Sequence, residues 1–131
     1  MHPSKVIGFN RLAALVASFL LLVFLATTAF AADKNQDKLA KCLAAKKVTM
    51  YGDFRCPHCA QQKAMFGASF KYVPYVECGT PGKPMTAANQ QQPCRDLQIT
   101  KYPTWIFPNG ERDASVLPLD KLAEKAGCKV E

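Results

Sequence analysis

The sequence predicts an α/β domain with a central mixed β-sheet flanked by helices. Short apolar or aromatic segments typical of strands alternate with segments of helical composition. Two of the strand candidates are joined by Pro108-Asn109-Gly110, and an Asn-Gly pair is a strong hairpin signal. This order of segments indicates a mixed sheet with helices on both faces.

The elements are expected in the order helix, strand, helix, strand, helix, strand, strand, helix. Gly67 and Gly127 are the expected ends of the second and the last helix. Pro74 makes the second strand irregular or places it at an edge, and Pro93 interrupts the third helix. The expected segments are, in order, 33–45, 48–51, 57–66, 70–78, 86–97, 104–107, 111–116 and 119–126.

The first 31 residues are typical of a targeting segment. Lys5 and Arg11 precede an apolar run over 12–30, and the small residues around Ala31 form a cleavage pattern. The run is long for a signal peptide and nearly long enough to span a bilayer. Segment 1–31 is therefore predicted as a cleaved signal peptide or an N-terminal membrane anchor. Both alternatives place the predicted domain, 32–131, in the periplasm or another extracytoplasmic space, because the basic residues stay inside.

The charge pattern and the cysteine content of the chain indicate which partners and which covalent bonds to expect. The net charge is +7, but the lysines are scattered, and no basic stripe with interleaved aromatic residues suggests nucleic-acid binding. All six cysteines lie in the exported part, and an even number in an oxidising compartment permits disulfides. These cysteines are Cys42, Cys56, Cys59, Cys78, Cys94 and Cys128.

The chemistry is expected at Cys56 and Cys59, which begin a predicted helix. Residues three apart lie one turn apart on the same side of a helix, so the two sulfurs come within bonding range. Free N–H groups and the helix dipole favour a thiolate at Cys56, and the thiolate is the nucleophile in disulfide exchange. Pro57 suits the first helical position. His58 and Arg55 add positive charge beside the sulfur, and both are candidate functional residues.

A Cys-x-x-Cys pair also occurs in structural disulfides and in metal sites. A structural zinc site usually has four ligands, often from two Cys-x-x-Cys pairs, and the sequence has no second such pair. No bound metal and no cofactor are therefore expected. The alternatives that stay open are a purely structural Cys56–Cys59 disulfide and a metal carrier that uses both thiols and His58.

Several motifs together resemble a known family. Cys-Pro-His-Cys at 56–59 is the sequence found in the DsbA family of periplasmic oxidants. The longer run is similar to the thioredoxin-like domain fused to, or partnered with, bacterial vitamin K epoxide reductase homologues. It comprises Met-Tyr-Gly-Asp-Phe at 50–54, Val-Pro-Tyr-Val-Glu-Cys at 73–78 and Tyr-Pro-Thr-Trp-Ile at 102–106. The resemblance covers about 46–126 and implies the thioredoxin fold.

The resemblance implies roles for individual residues. Cys56 would be the attacking cysteine and Cys59 the resolving one, with Pro103 as a cis-proline beside them. Cys78 and Cys94 are expected to form a structural disulfide, and a relay pair that exchanges with Cys56–Cys59 is the alternative.

The resemblance also implies a function. Such a domain takes electrons from the thiols of exported proteins and passes them to a membrane reductase, which delivers them to a quinone. This chain would be a stand-alone, monomeric partner of that reductase. The alternative is a disulfide reductase or isomerase kept reduced by a membrane electron donor.

Two departures from related domains affect these expectations. Arg55 stands where the family often has an aromatic residue, so substrate contact is expected to differ there, with Tyr102 as a second contact residue. Met50 occupies the position of the buried carboxylate of cytosolic thioredoxins, which disfavours the reductase alternative.

The last two cysteines, Cys42 and Cys128, lie near the two ends of the predicted domain. Domain termini often lie close together, so a disulfide between them is expected, with two buried thiols as the alternative.

Overall fold

The computed structural model describes residues 34–129, so the predicted leader, 1–31, lies outside the described residues. The described residues belong to one compact unit. Within 34–129, no helix combines the length and the apolar character needed to cross a bilayer.

The described part contains four α-helices and four strands. A helix that includes residues 34–45 comes first and is called α1. The longest element after it, α2, begins at a proline directly after Cys56, as the sequence predicts. The elements that follow α1 are β1 (Thr49–Gly52), α2 (Pro57–Phe66), β2 (Tyr75–Glu77), α3 (Gln92–Asp96), β3 (Thr104–Ile106), β4 (Arg112–Asp113) and α4 (Leu119–Ala126).

The four strands form one mixed sheet in the order β2-β1-β3-β4. Strands β1 and β2 are parallel, whereas β1 and β3, and likewise β3 and β4, are antiparallel. The crossover between the parallel strands contains α2, as such a connection requires. The predicted α/β class, with a mixed sheet flanked by helices, is confirmed.

The prediction of a strand over 70–78 is only partly right. Residues Gly67–Tyr72 form a 3-10 helix, and β2 is limited to Tyr75–Glu77. The aromatic residues that suggested a strand have another use, because the Phe70 ring packs between those of Phe66 and Tyr75. Centroid distances of 6.2 and 5.6 Å join these rings, so tertiary packing overrides the β propensity.

Two other predicted segments are shorter in the structure. Segment 86–97 contains a 3-10 turn over Ala87–Asn89 and then α3, in which Pro93 lies in the first turn instead of interrupting a helix. The returning strand predicted over 111–116 comprises only Arg112–Asp113. Glycine takes the positive φ that the preceding turn requires, with a φ of 81° at Gly110.

The core lies between the sheet and the helices. Trp105, Phe66 and Leu43 are fully buried in it. One buried polar residue, Gln62 on α2, connects that helix to the segment that precedes α4. Its Nε2 donates to the Leu117 carbonyl at 3.0 Å, and its Oε1 accepts from the Leu117 N–H at 2.7 Å. The Trp105 indole N–H contacts the same oxygen at 3.4 Å, so α2 is fixed against the sheet.

Two disulfides join distant parts of the domain. Cys42 in α1 is bonded to Cys128 just after α4, across a sequence separation of 86 residues. Cys78 directly after β2 is bonded to Cys94 in α3, with a separation of 16 residues. The long cross-link closes the two ends of the domain on each other, and the short one holds the 79–93 segment against the sheet.

Candidate active site

Cys56 lies at the N-terminus of α2, directly after the loop that leaves β1. It is the N-cap residue, in an extended conformation with φ −81° and ψ 118°, and Pro57 follows at the start of the helix. The Cys56 N–H donates to the Asp53 carbonyl at 3.0 Å, which closes the loop. The Cys56 sulfur therefore lies where the free N–H groups of the first turn concentrate positive potential.

Cys59 lies one turn further along α2 and is more deeply buried. Cys56 is 8% exposed and Cys59 1%, and both carry free thiols in the structure. Cys56 is almost fully buried, because the segment before β3 lies against it. Its Sγ donates to the Tyr102 carbonyl at 3.5 Å. The difference in exposure suits an outer attacking thiol and an inner resolving thiol.

The environment of Cys59 opposes its ionisation. Burial raises the pKa of Cys59 to about 12, and the neighbouring Cys56 adds to this rise. Two groups act in the other direction and lower the pKa, namely the Asp53 backbone N–H, which donates to the sulfur, and the ammonium of Lys63. Cys59 is therefore a neutral thiol at neutral pH and needs a proton acceptor before it can act as a nucleophile.

Arg55 is held by a carboxylate, an interaction that the sequence alone does not predict. Its Nε and Nη2 donate to the buried Asp53 carboxylate at 2.8 and 2.6 Å, and its backbone N–H donates to Asp53 Oδ1 at 2.9 Å. Arg55 also donates to the Lys83 carbonyl. The guanidinium holds the pKa of Asp53 below its ordinary value. The positive charge expected from Arg55 beside Cys56 is thus compensated.

The remaining predicted site residues surround the pair. His58 is exposed, and within 34–129 its ring makes no hydrogen bond. The Tyr102–Pro103 peptide bond is cis, and Pro103 is buried. The Tyr102 hydroxyl accepts a hydrogen bond from Gln90, and the Tyr102 carbonyl accepts the one from the Cys56 thiol.

Two cavities flank the pair. One of about 470 Å³ opens beside Cys56, and a second of about 330 Å³ opens beside His58. Tyr102 and Ala114 line both, so the two cavities adjoin on either side of the segment that covers Cys56. The first cavity is lined by Cys56, Met85, Thr86, Ala87, Gln90, Ile99, Thr100, Lys101, Tyr102 and Ala114.

Tyr75 and Glu77 form a polar pair on β2 near Cys59, and the sequence alone did not single them out. Tyr75 and Glu77 are separated by one residue on β2, and the Tyr75 hydroxyl donates to Glu77 Oε2 at 2.7 Å. Burial is the main cause that raises the pKa of Tyr75, and the nearby Glu77 adds to it. Alternation along a strand places residues two apart on one face, so the Tyr-Val-Glu pattern was the available signal.

The other four cysteines form the two disulfides already described. Cys78 and Cys94 are fully buried, so their sulfurs cannot meet a partner's thiol without movement of the surrounding chain. This burial fits a structural bond better than an exchanging relay. Across the described ranges, no three His, Cys, Asp or Glu side chains are grouped as ligands of a metal ion.

The mixed sheet, the helix that begins at Cys56-Pro57-His58-Cys59 and the segment at Pro103 define a thioredoxin-like redox domain. No protein-family model matches the chain. The chain is similar to the thiol-disulfide oxidoreductase LTO1 of Arabidopsis thaliana, with 37% identity over 94 residues. The aligned region is 71% of this chain but 24% of the relative, so this chain spans about a quarter of that protein's length. The similarity supports an oxidoreductase.

Proposed function

We propose that this chain oxidises the thiols of exported proteins through Cys56 and Cys59. The observation that carries the proposal is the position of Cys56 at the start of α2, with the more buried Cys59 one turn behind it. A substrate thiolate attacks Cys56 Sγ of the enzyme disulfide, and Cys59 leaves as a thiolate that takes up a proton. A second substrate thiolate then attacks the substrate sulfur of the mixed disulfide and releases Cys56. The substrate loses two electrons, which reduce the enzyme pair.

A partner must restore the enzyme disulfide. A membrane reductase resembling the vitamin K epoxide reductase homologues would accept the two electrons and pass them to a quinone. The leader-like segment 1–31 and the motif resemblance support this assignment. They also support the location outside the cytoplasm and a monomeric state. The cavity beside Cys56 has room for side chains of a bound polypeptide, and Tyr102 lines that cavity.

The test is to trap the mixed disulfide. In the Cys59→Ala variant the resolving thiol is missing, so disulfides between Cys56 and exported proteins should accumulate and be released by reductant. The variant is expressed in bacterial cells with its leader intact and captured after acid quenching. The Cys56→Ala variant is the matched control. Failure of Cys59→Ala to yield any adduct beyond that control would contradict an exchange enzyme.

A reductase or isomerase is the second candidate, and one observation favours it. Asp53 compensates the charge of Arg55, which removes one of the groups expected to stabilise the Cys56 thiolate and hence the reduced form. Equilibration with glutathione separates the two functions. An oxidant should have a reduction potential above the roughly −270 mV of thioredoxin, and a potential at or below that value would favour the reductase.

A further inference from the structure

We propose that Tyr75 exchanges the proton of Cys59 and that Glu77 positions Tyr75 and receives that proton in turn. The inference deepens the proposed function, since it assigns the proton transfer that accompanies each thiol–disulfide exchange at Cys59. Tyr75 is the catalytic residue in this assignment, because its hydroxyl and the Cys59 sulfur lie on the same side of Gly52, next to the same point in space. Glu77 is a positioning residue that acts through Tyr75.

The geometry at Gly52 brings the two groups together. A Cβ placed on Gly52 would lie 2.9 Å from Cys59 Sγ and 3.1 Å from the Tyr75 hydroxyl oxygen. The sulfur and the hydroxyl therefore share the space that a side chain would fill. The parallel pairing of β1 with β2 places Gly52 beside Glu77, so the carboxylate lies at the same edge of the sheet.

Glu77 is fixed as the acceptor behind Tyr75. Its Oε2 accepts from the Tyr75 hydroxyl at 2.7 Å, and its Oε1 accepts from the backbone N–H groups of Phe54 and Gly79 at 3.0 and 2.8 Å. Glu77 is partly exposed as a residue, which gives its proton a route to water. The three hydrogen bonds hold the carboxylate in one orientation toward the phenol.

Other charged and titratable groups also face this space. Lys63 on α2 lies 3.8 Å from the centroid of the Tyr75 ring, and its charge favours the thiolate form of Cys59. Asp53 is the competing carboxylate, but Arg55 occupies both of its oxygens. Burial and the nearby charges of Asp53 and Cys59 raise the pKa of the Tyr102 phenol, but its oxygen already accepts a hydrogen bond from Gln90. Cys56 is itself the bond partner of Cys59.

The protons balance both when the enzyme is re-oxidised and when it oxidises a substrate. When the enzyme is re-oxidised, the Cys59 proton moves to the Tyr75 oxygen as the Tyr75 proton moves to Glu77. The Cys59 thiolate attacks Cys56 Sγ of the mixed disulfide, and the partner's thiolate leaves. Glu77 then gives its proton to water. When the enzyme oxidises a substrate, Cys59 leaves as a thiolate, and the same transfers run in reverse.

Cys59 needs such a proton-transfer route because its sulfur is buried. Because the pKa of Cys59 is raised to about 12, few Cys59 thiolates exist at neutral pH. A buried sulfur also has little access to hydroxide. A positioned general base typically contributes about 100- to 10,000-fold to a proton-transfer step.

The experiment isolates the Cys59 step. The full chain, with the Cys56–Cys59 pair selectively reduced, is mixed in a stopped-flow instrument with the chromogenic disulfide dithionitrobenzoate. A first phase, proportional to reagent concentration, reports attack by Cys56. A second phase, independent of reagent concentration, reports attack by Cys59 on the mixed disulfide. The variants are Tyr75→Phe and Glu77→Gln, with Tyr72→Phe and Glu124→Gln as matched controls at exposed positions.

Both variants should slow the second phase at neutral pH by about 10-fold or more and leave the first phase unchanged. Their second phase should then rise about tenfold per pH unit, following the thiolate fraction, whereas the wild-type rate changes little between pH 7 and about 9. An unchanged second phase in Tyr75→Phe, or equal slowing of both phases, overturns the assignment. Slowing by Asp53→Asn alone would transfer it to Asp53. A wild-type protein without any second phase would contradict dithiol exchange itself, and the proposed function with it.

Discussion

At the scale of single residues, the two cysteines of the site differ because their surroundings differ. Cys56 lies at a helix N-terminus and contacts the Tyr102 carbonyl, whereas the more buried Cys59 lies beside Gly52 and Tyr75. One sulfur is within reach of a partner, and the other is reached only by Cys56 and the groups that surround it. In the proposed function, this division lets the same pair form a mixed disulfide and then resolve it.

The ionisation of Cys59 gives the first prediction. Because the folded pKa is about 12, well above the roughly 8.5 of a free cysteine, iodoacetamide should label Cys59 of the reduced protein only at strongly alkaline pH. Cys56 should be labelled at neutral pH. Peptide mapping by mass spectrometry across a pH series measures both reactions.

The raised pKa of Cys59 also makes the stability of the reduced protein depend on pH. The folded reduced protein keeps the Cys59 proton at a pH where the unfolded chain has lost it. The reduced form should therefore lose stability as pH rises from about 8.5 toward 12, and the oxidised form should lack this contribution. Labelling of Cys59 at neutral pH, in protein shown to be folded, would contradict the assigned environment.

At the scale of elements, α2 is the part of the fold that positions the site. It enters directly after β1, packs Phe66 near Trp105 at a centroid distance of 6.4 Å, and is fixed by the Gln62 contacts to Leu117. A tilt of this helix would move both sulfurs. The buried amide of Gln62 is therefore a structural part of the site, although it touches neither cysteine.

Replacement of that amide gives the second prediction. Gln62→Leu removes the partner of the Leu117 N–H and carbonyl groups and of the Trp105 indole, so it should lower the free energy of unfolding by about 2–4 kcal/mol. Urea denaturation followed by circular dichroism measures the loss. Gln61→Leu, at an exposed position on the same helix, is the matched control and should cost little. Equal losses in both variants would contradict the structural role of Gln62.

At the scale of the whole molecule, a cross-link joins the first described helix to the segment just after α4. The Cys42–Cys128 bond spans 86 residues, and a bond that closes a long loop restricts the unfolded chain most. A small domain buries only part of its unfolded surface, so this contribution is a large share of its stability.

Loss of that bond gives the third prediction. The double variant Cys42→Ala with Cys128→Ala should be less stable by about 2–5 kcal/mol, as measured by thermal or urea unfolding. The corresponding double serine variant serves as a control, because equal losses in both identify the cross-link as the cause. Rates of exchange at Cys56–Cys59 should be retained at temperatures where the variant stays folded. A double variant as stable as the parent would contradict the role of the bond.

The sequence by itself determined the local features. Pro57 after Cys56 predicted the start of α2, Gly67 and Gly127 predicted two helix ends, and Asn109-Gly110 predicted the turn before β4. Each of these depends on residues within a few positions of one another, because backbone preferences and helix hydrogen bonds act over that range. The order of the elements then indicated a mixed sheet.

The tertiary structure decided what lies beside Cys59. Nothing within the local sequence shows that the Tyr75 hydroxyl and a sulfur in α2 lie next to the same point beside Gly52, because that arrangement depends on the parallel register of β1 and β2. Met50 occupies the position of the buried carboxylate of cytosolic thioredoxins, but the neighbouring strand supplies Glu77, whose carboxylate accepts a hydrogen bond from Tyr75. Strand register is set by the packing of the whole core, so its consequences for side-chain contacts appear only in three dimensions.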